Sequence, residues 1–60
     1  MYVLQRNDGK YVMPGGRDAS YTSKLQYARI FSTRTAAEEN RCVENEHIVE
    51  IGELLRRYAV

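Results

Sequence analysis

Sixty residues with a formal net charge of +1 make a single domain, and a chain this short buries only about 60% of the surface its unfolded form exposes. The single cysteine, Cys42, excludes an internal disulfide and no Cys/His cluster offers a structural metal, which leaves self-association into a homo-oligomer as the means of reinforcing a small core. No apolar run is long enough for a membrane helix and the N-terminus lacks a signal-peptide pattern, so the chain reads as soluble and cytoplasmic, with no membrane partner.

In chain order, Tyr2 to Arg6 (YVLQR) and Lys10 to Met13 (KYVM) are strand-like runs around Asn7-Asp8-Gly9. An Asp-Gly pair between such runs predicts a β-hairpin, because tight turns need a positive φ that glycine adopts freely. A two-residue loop would put Tyr2, Leu4 and Arg6 on one face with Tyr11 and Met13. A three-residue loop with a bulge would instead bring Leu4 to Val12, and the pattern leaves both open. Pro14-Gly15-Gly16 ends the second strand, and Ser20 to Thr22 forms a short third one. Lys24 to Phe31 (KLQYARIF) mixes helical spacing with strand formers and reads as a turn of helix or a bend running into a short strand.

A helix follows. Thr35-Ala36-Ala37-Glu38 matches a capping box, with Thr33 as the alternative cap, and Asn40 to Asn45 carries the helix out. His47 to Ile51 (HIVEI) reads as a strand broken by Gly52, and Glu53 to Tyr58 as a short helix with Leu54, Leu55 and Tyr58 inward. The expected fold is therefore α+β, a small antiparallel sheet of three to four strands in ββ(β)αβ order, with one helix packed on one face and a short C-terminal helix. The first strand and the His47–Ile51 strand are the candidate edges, and an open edge invites pairing with a second chain.

Charge is unevenly distributed. Met1 to Arg34 holds six basic and two acidic residues, whereas Thr35 to Val60 holds three basic and six acidic ones. Two oppositely charged solvated faces account for this, as does a basic sheet surface facing a polyanion. The glycine-rich stretch Gln5 to Asp18 does not decide between them. Its glycines fit neither a P-loop nor a dinucleotide fingerprint, because a strand rather than a helix follows Lys10, so they punctuate a sheet. On the polyanion reading, Arg6, Lys10, Arg17, Lys24 and Arg29 contact phosphate, and Tyr2 and Tyr11 stack on unpaired bases. Tyrosine is also an ordinary half-buried strand residue.

Catalytic alternatives are thinner. Cys42 near His47 reads as a small core residue beside a surface histidine, since a helix C-terminus disfavours a thiolate. The carboxylates Asp8, Asp18, Glu44, Glu46 and Glu50 form no clustered motif in one chain. Magnesium enters only if subunits gather them, Asp8 and Asp18 foremost, into a DNA-nicking site. No other cofactor is implied. A protein-interaction module using an exposed strand edge is the third reading.

The stretches YVLQRNDGKYV, LQYARIFSTRTAAEEN and ENEHIVEI together resemble small accessory proteins of phages, prophages and other mobile elements. Such proteins often combine a DGKYV hairpin, a lead into a short helix and an IVEI closing strand. The group includes counter-defence factors of the anti-CRISPR type, one of which resembles a coactivator-type DNA-binding fold and nicks plasmid DNA. The resemblance implies action on nucleic acid or a host nucleoprotein. It transfers no catalytic residue, and Thr35-Ala36-Ala37 departs from the acidic helix start usual in the group.

Overall fold

Asn7, Asp8 and Gly9 close a three-residue hairpin loop in the computed structural model, which describes residues 1–14 and 20–58, without the side chains of Arg57 and Tyr58. The Gly9 N–H donates to Arg6 O at 2.9 Å and the Arg6 N–H to Lys10 O at 2.6 Å. Gly9 takes φ +93°, and a Cβ there would meet nothing within 4 Å, so the demand for glycine is one of backbone alone. Of the two registers left open by the pattern, this is the bulged one. Gln5 lies opposite Tyr11, which puts Leu4 on the face of Val12.

The elements run β1 (Tyr2–Arg6), β2 (Tyr11–Val12), β3 (Tyr21–Thr22), a 3₁₀ turn (Leu25–Tyr27), α1 (Arg34–Asn40), β4 (Glu46–Glu50) and α2 (Ile51–Tyr58). The four strands form one antiparallel sheet in the order β3-β2-β1-β4. This is the expected α+β fold in ββ(β)αβ order with a closing helix. The position of β1 differs from expectation: it is an interior strand, paired with β4 along its whole length, and the outer strands are β3 and β4. On its other side β1 pairs with β2, and Tyr2 exchanges two 2.8 Å backbone hydrogen bonds with Phe31. The Lys24–Phe31 stretch is thus a turn of 3₁₀ helix running into a bridge.

Both faces of the sheet are covered, where one was expected. Val3, Tyr11, Ala28 and Leu54 form a core on one face, with Leu25, Val49 and Ile51 against it. Leu4, Val12, Phe31 and Ala37 form a second core on the other. Val3 and Leu4 are neighbours on β1, so their side chains leave in opposite directions, and each is fully buried.

Thr33 caps α1, its Oγ1 accepting from the Ala36 N–H at 3.1 Å. Thr35 therefore lies inside the helix, and the capping box centred on it does not form. The Phe31–Tyr2 bridge explains the choice, because it holds the chain extended up to Thr33. The helix also stops at Asn40, short of the expected Asn45. Arg41 is extended, and a turn closed by Glu46 N–H to Cys42 O at 2.9 Å returns the chain to the sheet. That turn exposes Cys42, which is not the core residue its size suggested.

α2 starts at Ile51 with no break after β4. Gly52 lies within its first turn, where a Cβ would meet Glu50 Oε2 at 2.6 Å. The bare glycine lets the Glu50 carboxylate fold over the helix start, accepting from the Glu53 N–H at 3.2 Å. Hydrogen bonds from the Gly52 and then the Glu53 backbone hold Glu50 below the usual glutamate range. Leu54 points inward as expected, whereas Leu55 points out, 56% exposed. The expected inward Tyr58 side chain lies outside the described residues.

Candidate nucleic-acid interface

The hairpin tip gathers Arg6, Asp8 and Lys10. Asp8 Oδ1 accepts from the Lys10 N–H at 3.1 Å and from Arg6 Nε at 3.0 Å, and its Oδ2 accepts from Arg6 Nη2. The Arg6 guanidinium also lies over the Tyr21 ring, 3.9 Å from its centroid. Arg6 is thus a clamp between the turn and β3, and Asp8 is the turn's acceptor. The Arg6 hydrogen bond first, and the Lys10 backbone bond second, lower the Asp8 carboxyl from 3.8 to about 2. Because the folded value lies below the unfolded one, the stabilisation is present above pH about 4 and is lost as pH falls through about 2. Thermal unfolding followed across that window is expected to show Asp8→Asn losing less stability with acid than the parent chain. Equal acid sensitivity in the two would contradict it.

Next to this clamp lies a buried carboxylate. Glu46, 4% exposed, accepts the Tyr21 hydroxyl on Oε2 and the Cys42 N–H on Oε1 at 2.8 Å. Arg41 Nη1 donates to the Glu46 carbonyl at 2.8 Å, and Arg41 also pairs with Glu38. The Tyr21 phenol is pushed up by its bond to Glu46 and then by burial. Tyr21 and Glu46 belong to the two outer strands, so their hydrogen bond ties the sheet's margins together across one face. A carboxylate beside a tyrosine and an arginine resembles an acid–base site, but both its oxygens are filled by protein donors. It ties the Tyr21 side chain to the Cys42 backbone. Among the described residues no three His, Cys, Asp or Glu side chains are grouped to hold a metal ion.

The remaining sequence-selected residues divide. Tyr2 is half-buried against the Leu4 core, and Tyr11, 4% exposed, belongs to the core on the opposite face. The two rings therefore share no surface, and the Tyr11 ring is enclosed by the core. Arg17 and Asp18 lie outside the described residues. Lys10, Lys24 and Arg29 are exposed, and none has an acidic partner within ion-pair distance among the described residues. Arg34, exposed at the start of α1, is likewise unpaired.

Three of these cations lie on one segment. Ser20 to Arg34 contains Lys24, Arg29 and Arg34 and no Asp or Glu. It carries Tyr27, 52% exposed, with the Lys24 Nζ 5.9 Å from its ring centroid, and Arg29 over Phe31 at 4.7 Å. Tyr27 is the exposed aromatic that the strand pattern passes over. Leu25 and Ala28, three apart and both inward, are the signal that turns Tyr27 out. No protein-family model, curated protein or solved structure matches the chain.

Proposed function

We propose that the chain is a small binding protein for nucleic acid, free or within a host nucleoprotein, and that it acts through the Ser20–Arg34 segment. The observation that carries this reading is the acid-free run itself, with Lys24, Arg29 and Arg34 exposed and unpaired among the described residues. Lys10 adds a fourth charge from the hairpin tip, while Arg6 is engaged with Asp8 and Tyr21. The proposal includes self-association along β4, which among the described residues pairs on one side only, and the counter-defence setting that the mobile-element resemblance implies. Nicking is the less favoured reading, since Asp8 has both carboxylate oxygens occupied by its own turn.

Arginine and lysine bind phosphate by releasing condensed counterions, so affinity for a mixed-sequence oligonucleotide is expected to fall steeply with salt. The triple variant Lys24→Ala, Arg29→Ala, Arg34→Ala should bind more weakly and flatten the log–log salt slope by roughly 2 to 3, at about 0.7–0.9 per phosphate contact. An unchanged slope would remove this segment from the interface. Absence of binding at low salt would remove nucleic acid as the partner.

A further inference from the structure

Building on the nucleic-acid reading above, we infer that the ligand is single-stranded and that Tyr27 is the platform on which an unpaired base stacks. Cations alone serve duplex and single strand alike, because both present phosphates. An exposed aromatic ring adds affinity only where a base face is open, and in a duplex those faces are closed by neighbouring base pairs.

Tyr27 is suited to that task by its mounting. It ends a 3₁₀ turn closed by Tyr27 N–H to Lys24 O at 3.1 Å and Ala28 N–H to Leu25 O at 3.0 Å. Leu25 and Ala28 anchor the turn in the core beneath, so the ring is carried on fixed backbone. Little ordering is then left for binding to supply. The Lys24 ammonium, 5.9 Å from the ring centroid, sits at the outer limit of a cation–π contact. It yields its place over the ring at small cost and lies beside the phosphate of whichever nucleotide stacks there. Ile30, 46% exposed, is a second exposed apolar side chain in the same stretch.

The test is fluorescence anisotropy with a labelled oligothymidylate and with its duplex on oligoadenylate, at one fixed salt concentration. The single strand should bind more tightly. Tyr27→Ala should weaken single-strand binding on the order of tenfold while leaving duplex binding unchanged, and Tyr27→Phe should keep the parent affinity. Circular dichroism verifies that both variants fold, as expected for a half-exposed side chain. Equal affinity for the two ligands, or a Tyr27→Ala variant that binds the single strand normally, overturns the stacking role and leaves the electrostatic reading standing. Failure of both ligands to bind overturns the two together.

Discussion

Leu4→Ala is expected to leave little folded protein at room temperature. Leu4 is 0% exposed, stands on the interior strand and packs with Val12, Phe31 and Ala37. Truncating such a leucine costs about 2–5 kcal/mol, the lost transfer energy plus the cavity that remains. A single core in a domain of this size supplies only about 3–5 kcal/mol in total. The substitution therefore removes most of what holds the fold, on a strand that both cores share. Urea unfolding followed by far-UV circular dichroism measures it: the folded baseline should shrink or vanish. Leu55→Ala is the control, since that side chain faces solvent and its loss should shift stability by no more than about 0.5 kcal/mol. A Leu4→Ala midpoint near that of the parent would mean that the Leu4 core contributes far less than its burial implies.

Glu46→Ala is expected to cost about 1–3 kcal/mol, because it leaves the Tyr21 hydroxyl and the Cys42 N–H without their acceptor. The effect has a signature that simple loss of packing lacks. Tyr21→Phe removes the same bond from the other side, so the double variant should cost less than the sum of the singles, with a coupling of about 0.5–3 kcal/mol. Glu46→Gln should be milder than Glu46→Ala. Its amide oxygen still accepts from one donor, and the tyrosine hydroxyl can turn to accept from the amide nitrogen. Denaturant unfolding of the four chains in the cycle decides this. Strict additivity would show that Tyr21 and Glu46 act independently.

Much of the fold was legible because the local chemistry was unambiguous. Asp8-Gly9 between strand-like runs announced the hairpin, and the β-branched His47–Ile51 run announced the last strand. The register was not legible, since it rests on a loop whose length is set by the Arg6–Asp8 contact and by the conformation of Gly9. The place of β1 in the sheet depends on pairing with residues at the far end of the chain, which local pattern does not encode. One clue was present: Val3 and Leu4 are consecutive apolar residues, and a strand that buries both faces reads that way. Thr33 and Thr35 carry the same capping oxygen, and only the bridge at Phe31 separates them. That Lys10, Lys24 and Arg29 lie exposed follows from their charge alone. The exposure of the tyrosines does not: Tyr2 and Tyr11 each precede a valine in a strand yet differ in burial, and the Leu25–Ala28 spacing alone marks Tyr27.

The pairing of β1 with β4 has a consequence for the order in which the molecule can assemble. Val3 meets Val49 and Leu4 meets Ile48, so the interior strand is joined to residues 46 and 44 positions further along the sequence. A growing chain can close the Asn7–Gly9 hairpin early, but it then carries Val3 and Leu4 with one strand neighbour missing until Glu46–Glu50 has emerged. Contacts of such long sequence separation make folding slow for a domain of this size. The hairpin is therefore an early, incomplete scaffold, and arrival of β4 is the step that commits the chain. Slowing that arrival should lengthen the interval during which the apolar strand is open to other chains, and translation speed through the codons leading up to Glu46–Glu50 becomes a determinant of yield.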